Sequence, residues 1–381
     1  MQFKVERLRQ SLTLIEPAIP RKSAIKLLNN HVLFKEGKMV ATNLEQSVFI
    51  DLPEITEATV IPHGPILDLL GTVPGSYMLS ATIEGKSLKL EWEGGEAAFP
   101  VESAEDYPDV NRYDAPTVMA DVDGSPLVKA LFEMAPYAAT EDSRPVLRNL
   151  AIFPGEKIDV AAADGFRLIY ETLPISFGNA EAKALLVPAE VANVLKYLWE
   201  KTPTEVSLKG GLIEQIMSRR MITLTTGNGG TDNPTWIGFR FGTVKLVSRL
   251  ADGNFPKYRD LIPKNLANKV QFMAPYLVRA ISKLKNIAKE SGGTVKLQWD
   301  PEKGMKVSAS ADEVGQVATT IPANSLDGPG HVALSYKYLN EYLSKKDSTV
   351  LMSSDGKGTR PVLFEYDGAP NTIIMPHNIK W

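Results

Sequence analysis

Two periodicities alternate along this chain. Val295, Leu297 and Trp299 are separated by Lys296 and Gln298, and Leu88, Leu90 and Trp92 by Lys89 and Glu91. A period of two turns one face of a strand inward and the other toward water. Between such runs lie stretches with helical spacing. In APYLVRAISKLKNIAKE, from Ala274, the residues Leu277, Ile281, Leu284 and Ala288 fall on one side at about 100° per residue, the stripe of a helix with one buried face. RLRQSLTLIEPAI near Arg7 and SPLVKALFEMAPYA from Ser125 have the same character. So do PHGPILDLLGTV, VPAEVANVLKYLWEK and LSYKYLNEYLSKK further along. Several of these open with Pro or Ser in the first turn, a helix-start signal.

The segments recur in a fixed order. ATNLEQSVFIDLP ends at Pro53, AADGFRLIYETLP at Pro174 and SADEVGQVATTIP at Pro322. Each passes from small residues through a polar turn into a β-prone run closed by Leu-Pro or Ile-Pro. Each is preceded by a strand, a charged Gly-containing turn and a second strand: LLNNHVLFKEGKMV, VLRNLAIFPGEKIDV and TVKLQWDPEKGMKV. Agreement in order, element type and closing motif identifies a divergent triplication. The expected fold is α+β, three repeats of strand–helix–strands–helix–strands over 1–117, 118–255 and 256–381. The first boundary falls at Asp114–Thr117 and the second around Pro256–Pro263. The middle repeat is longest, and its excess, ITLTTGNGGTDNPTWIGFRF, reads as a hairpin near 218–241 with a Gly/Asn/Asp-rich surface turn.

Composition narrows the class. The chain has 381 residues, 44% hydrophobic and 23% charged, which excludes global disorder and allows sizeable cores. The absence of Cys excludes a disulfide framework, a Cys-ligated metal and a thiol nucleophile. MQFKVERLRQ carries charge where a signal peptide needs an apolar centre, and no apolar run approaches the ~20 residues of a bilayer span, so a soluble, cytoplasmic protein is expected. Lys+Arg total 42 against 45 Asp+Glu, a net charge of -3. That argues against an all-over basic nucleic-acid binder, but not against charge segregated onto one face. The helix from Ala274 shows such segregation. Arg279, Lys283, Lys285 and Lys289 fall away from the apolar stripe, with no acid before Glu290. Lys129 and Lys196 lie on corresponding helices of the middle repeat, with Glu133, Glu190 and Glu200 nearby.

Catalytic signatures are weak. No HExxH, GxSxG or GxxxxGK[ST] pattern occurs, and His31, His63, His331 and His377 are scattered. Asp164 and Asp312 hold equivalent repeat positions, and a metal-dependent nucleic-acid hydrolase on a repeated α+β scaffold would have to use them. Both fall in turns, where Asp caps its own backbone. No metal and no cofactor is expected.

DSRPVLRNLAIF (Asp142–Phe153), AADGFRL (Ala162–Leu168), SRLADGNFPKYRDLIP (Ser248–Pro263) and IIMP (Ile373–Pro376) together resemble the bacterial sliding clamps, the beta subunits of DNA polymerase III, in order and spacing over essentially the whole chain. The resemblance implies a non-catalytic processivity factor. Two chains join head to tail as a homodimeric ring of six similar domains, with helices lining a channel and antiparallel sheets outside. Double-stranded DNA is encircled without sequence specificity. Polymerase, clamp loader and repair factors dock through short peptides. It further implies a DNA-facing set of Arg21, Lys22, Arg144, Lys196, Arg279, Lys283 and Lys285. A peptide groove would comprise Leu147, Gly165, Phe166, Arg167, Leu168, Pro256, Leu261, Tyr338, Ile373, Ile374, Met375 and Pro376. The dimer contact would set Phe99 and Val101 against Ile287, with Asn286 beside it more polar than the family pattern. Other departures are Phe166 where the family often has His, Asp260 where a basic residue is frequent, and a longer hairpin around Gly227–Pro234. HNIKW also follows the Met-Pro, and its Trp381 is placed to extend the groove or cover it.

Overall fold

The computed structural model describes residues 1–110, 113, 116–178, 182–202, 221–227, 234–264, 266–379 and 381. Asp114 and Ala115 at the expected first boundary, residues 218–220 of the expected hairpin and its turn at 228–233 lie outside the described residues.

The triplication is written in the element order. Gln2–Lys4 leads into helix Val5–Ile15. Strands His31–Lys35, Lys38–Thr42, Gln46–Asp51 and Thr59–Pro62 follow, then helix His63–Thr72 and strands Met78–Glu84, Ser87–Trp92 and Gly95–Pro100. The same succession of strand, helix, four strands, helix, three strands runs from Thr117–Asp123 to Val244–Arg249. It runs again from Asn268–Met273 to Asn371–Ile374, with the two-residue strand Asn324–Ser325 added.

By contact the chain forms two compact units built from discontinuous stretches. The first comprises Met1–Ala135, Ile152–Ile158 and Leu173–Gly253. Its larger sheet has the order Thr59–Pro62, His31–Lys35, Lys38–Thr42, Gln46–Asp51, Val244–Arg249, Trp236–Phe241, Met221–Gly227, Thr117–Asp123. The central pairing sets Val244 opposite Ile50 and Ser248 opposite Gln46. Met221–Gly227 and Trp236–Phe241 pair from Thr223↔Arg240 to Gly227↔Trp236, and the other two repeats have three strands at the same place, so this pair is common to the repeats and is not an addition to the middle one. A four-stranded sheet ends at the edge strand Gly95–Pro100, where Phe99 is half-buried; Val101, just past it, is buried.

The second unit comprises Pro136–Ala151, Asp159–Thr172 and Asn254–Trp381. Consecutive strands of one of its sheets are Ile158–Ala163, Arg167–Leu173, Asn371–Ile374, Val362–Glu365, Thr349–Ser354 and Asn268–Met273. A second sheet runs Gly315–Ile321, Gly304–Ala311, Thr294–Asp300, Gly330–Ser335. Helix Ala274–Glu290 buries Leu277, Ile281, Leu284 and Ala288 in one core with Val295, Leu297 and Trp299, as both periodicities require. Each such Leu or Ile contributes about 1.5–3 kcal/mol by leaving water. The Trp299 indole N–H is satisfied by Asn268 Oδ1 at 2.8 Å.

Candidate binding groove

The groove lies on one face of a three-strand ribbon in the second unit, whose other face packs into the core. Arg167 lies opposite Ile374, which lies opposite Val362, and Leu168 lies opposite Ile373, which lies opposite Leu363. Alternation separates these rows. Ile374 and Val362 are wholly buried in the core, while Leu168 and Ile373 line a cavity of about 710 Å3 on the other face. Phe166, Gly165 and Met375 edge the cavity, and Leu261, Ile262 and Pro263 line it from a separate segment.

The rim is set by a tight turn. Asp164 Oδ1 accepts hydrogen bonds from the backbone N–H groups of Phe166 and Arg167, at 2.9 and 3.0 Å. Gly165 has φ +94°, a conformation that side chains disfavour, and a Cβ there would overlap the Arg144 guanidinium. Arg144 Nη1 donates to the Asp164 carbonyl at 2.6 Å, and its guanidinium lies 5.3 Å from the Phe166 ring centroid. The turn thus leaves Phe166 exposed beside Met375, whose N–H donates to the Phe166 carbonyl at 2.8 Å. Asp164 is a turn cap. Asp312 is exposed in the turn between Gly304–Ala311 and Gly315–Ile321.

Arg167 is only 5% exposed, and its guanidinium is fully engaged. Nε donates to Asp164 Oδ2 at 3.0 Å, Nη1 to Glu341 Oε2 at 2.5 Å and Nη2 to the Pro136 carbonyl at 2.7 Å. Tyr137 and Tyr338 flank it, with ring centroids 4.4 and 4.5 Å away. A buried guanidinium needs this many partners to offset its lost hydration. Burial raises the Tyr338 hydroxyl's pKa above its ordinary value.

The wall is pinned from the sheet. Tyr258 Oη donates to Asp159 Oδ2 at 2.7 Å, Arg259 Nε reaches the same oxygen at 3.1 Å, and Arg259 also ion-pairs with it. Thr172 Oγ1 donates to Asp159 Oδ1 at 2.6 Å. The Tyr258 ring lies 5.8 Å from that of Tyr170. Burial pushes the Asp159 carboxyl upward, but the hydrogen bonds from Arg259, Thr172 and Tyr258 outweigh it and hold the group below the ordinary carboxylate range. Burial, aided by the Asp159 bond, pushes the Tyr258 phenol up to about 12. The short helix Tyr258–Leu261 is therefore fastened at its start, and Leu261 follows into the cavity lining.

Of the expected groove residues, Gly165, Phe166, Arg167, Leu168, Leu261, Ile373 and Met375 come together around the cavity. Leu147, Pro256, Tyr338, Ile374 and Pro376 do not line it. Ile374 faces the core because its neighbour Ile373 takes the other face, and Tyr338 stacks on the Arg167 guanidinium. Leu147 is half-buried, with its N–H on the Arg144 carbonyl at 3.0 Å. Pro256 is exposed ahead of the short helix. Ala163, Ile262, Pro263, Lys264, Arg360 and Pro361 also line the cavity, and Asp260 joins them. Ile262 and Pro263 sit inside the matched SRLADGNFPKYRDLIP run. Arg360 and Pro361 carry no local signal and enter only because Val362–Glu365 pairs with Asn371–Ile374.

The expected DNA-facing cations divide. Arg144 is half-buried beside the groove turn, where it donates to the Asp164 carbonyl. Lys196 ion-pairs with Glu200 at 3.3 Å and lies 4.0 Å from the Phe132 ring centroid. Arg21 and Lys22 are exposed. Arg279, Lys283 and Lys285 are exposed on helix Ala274–Glu290, and among the described residues none of them has a carboxylate partner. On the same helix Ile287 is half-buried against the core and Asn286 is exposed. The tail also corrects expectation. His377 N–H donates to the Ala333 carbonyl at 2.8 Å, His377 Nδ1 lies 2.8 Å from Thr294 Oγ1, and Trp381 packs on His331 with centroids 4.2 Å apart. Among the described residues the tail thus does not line the cavity, and its contacts are with the sheet holding Thr294–Asp300 and Gly330–Ser335.

Comparison with known proteins points one way. The family model for the central domain of the DNA polymerase III beta subunit matches residues 122–257. The beta sliding clamp of Caulobacter vibrioides is 24% identical over 357 residues, covering 89% of each chain. That of Synechococcus elongatus is 22% identical over 387 residues, covering 98% of this chain and 97% of its own. The crystal structure of the Pseudomonas aeruginosa DNA polymerase sliding clamp with ligand superposes with a TM-score of 0.82 at 17% identity, over 100% of this chain and 99% of that one.

Proposed function

From a chain that is a relative of the bacterial DNA polymerase III beta sliding clamps and has their fold, we propose a DNA clamp that encircles the duplex and tethers the replicative polymerase for processive synthesis. The observation that carries this reading is helix Ala274–Glu290. One face is sealed into the core, and the other presents Arg279, Lys283, Lys285 and Lys289 to solvent without carboxylate partners among the described residues. Cations on a helix face attract phosphate uniformly and read no base edges. Such contacts hold the duplex without fixing the protein to one position. Retention then comes from enclosure, and release requires ring opening.

In this reading the three repeats, 1–117, 118–255 and 256–381, are three domains, and two copies give six. Gly95–Pro100 and Gly315–Ile321 are both edge strands of their sheets, so each offers an unpaired backbone edge for closure, with Phe99 and Val101 on one chain and Ile287 on the other. The groove around Leu168, Ile373 and Met375 receives short peptides of the polymerase, clamp loader and repair factors, since aliphatic and Met side chains form adaptable pockets. The chain itself performs no chemistry and works in the cytoplasm. No helix among the described residues is long and apolar enough to cross a membrane. The hydrolase alternative has no support, since Asp164 is bonded to its own turn and to Arg167.

The test is topological. Once loaded by its cognate loader, the protein should remain on nicked circular DNA through gel filtration and run off when the circle is linearised. Equal retention on both forms, with cleavage on adding divalent metal, would mark a hydrolase. Light scattering should give a dimer of the 41.7 kDa chain; a trimer is incompatible with a six-domain ring.

A further inference from the structure

The groove's charges fall into two groups. The three arginines that build it are all engaged: Arg144 by the Asp164 carbonyl, Arg167 by Asp164 and Glu341, and Arg259 by Asp159. Lys264 and Arg360 are different. Both are exposed and line the cavity, and among the described residues neither has a carboxylate partner. They come from separate segments, Lys264 just after the Leu261–Pro263 wall and Arg360 just before strand Val362–Glu365. Asp260, also exposed and unpaired among the described residues, is the carboxylate in the same lining. The cavity therefore joins an apolar floor to a surplus of one positive charge.

We infer that this groove selects its peptides by charge as well as by apolar fit, and that its occupant is a short linear peptide with apolar anchors and an acidic side chain seated on Lys264 and Arg360. The inference rests on the peptide-groove reading above and adds the chemistry of the partner. Leu168, Ile373, Met375 and Leu261 take the anchors, and excluding water there strengthens the charge pairing beside them. Both cations remain solvated in the free protein, so the charge term is moderate and salt-sensitive. A basic residue in the same place meets two like charges, which gives discrimination as well as attraction. Arg360 contributes most when it grips a carboxylate with two parallel N–H bonds, which a lysine at 360 does not reproduce.

The test uses the full-length protein and a labelled neutral peptide with two apolar anchors, together with variants carrying Glu, Gln or Lys at each remaining position. Affinity is read by fluorescence anisotropy at low and high salt. At one or more positions Glu should bind about threefold to tenfold tighter than Gln, and Lys weaker than either, with the spread shrinking as salt rises. In the double variant Arg360→Glu/Lys264→Glu the order should reverse. Both sites are exposed, and unchanged circular dichroism will show that the fold is kept. If Leu261→Asp abolishes binding while Glu, Gln and Lys peptides bind alike, charge selection is wrong and the groove reading stands. If no peptide binds in a manner sensitive to Leu261→Asp, the groove reading fails and this inference with it.

Discussion

Tyr258 and Asp159 are 99 residues apart in the chain, and the tyrosine hydroxyl donates to the carboxylate at 2.7 Å. That bond, with Arg259 on the same oxygen, fastens the segment bearing Leu261 to strand Ile158–Ala163. Removing the charge while keeping the shape isolates the effect. Asp159→Asn should loosen the wall, weaken peptide binding about threefold to tenfold, and lower stability by roughly 1–3 kcal/mol. Urea unfolding and peptide titration on the same sample check both.

The same pair sets a pH window. The Asp159 carboxyl is held low in the folded protein, so its stabilisation is complete above the unfolded value of about 4 and is lost as pH falls through the depressed folded value. Tyr258 is raised to about 12, so its contribution is complete below about 10 and is lost as pH rises through the folded value. Unfolding midpoints against pH should show a larger acid-side loss in the wild type than in Asp159→Asn, which keeps the share that Asp355 contributes. Identical acid limbs would refute the assignment.

Arg167→Ala leaves Asp164 and Glu341 without their cation and opens the space between Tyr137 and Tyr338. A loss of about 3–5 kcal/mol is expected. Arg167→Lys keeps the charge but cannot reach three acceptors, and should fall between the two. A denaturation midpoint for Arg167→Ala within experimental error of wild type would contradict this account.

Gly165→Ala meets two obstacles, a positive φ and the Arg144 guanidinium. We expect a destabilisation of about 1–3 kcal/mol. Adding Arg144→Ala removes only the second obstacle, so the double variant should recover part of the loss. Full recovery would show that backbone strain is negligible here. A double-mutant cycle by thermal unfolding separates the two.

Exposure decides which groove variants are informative. Leu168 is 4% exposed, so a charge there disturbs folding as well as binding, whereas Leu261 and Met375 are 53% and 44% exposed. Leu261→Asp and Met375→Glu should abolish peptide binding with stability changed by less than about 0.5 kcal/mol and the dimer intact. Unchanged peptide affinity, measured beside light scattering, would remove this cavity from the peptide site.

Charge reversal of Lys283 and Lys285 distinguishes ionic grip from enclosure. For binding to open linear DNA, every phosphate no longer neutralised should flatten the dependence of log K on log salt by about 0.9. Residence on a closed circle should change little. A proportional weakening on both substrates would mean that the ionic interactions themselves retain the DNA.

The repeat, the element order and the buried stripes were legible in the chain, because spacing of 2 and 3.6 residues is a local property that each segment carries with it. The Asp164 turn was legible for the same reason, since its partners are two and three residues away. Ile373 and Ile374 show where that legibility stops. Both are aliphatic and adjacent, and only the register with Arg167–Leu173 sends one to the cavity and the other to the core. Arg360 joins the groove through strand pairing, Arg144 reaches a carbonyl 20 residues on, and the HNIKW tail turns to Thr294 and His331 rather than to the cavity. Contacts between distant segments depend on which donors and acceptors remain unsatisfied once the sheets have assembled, and no local pattern records that.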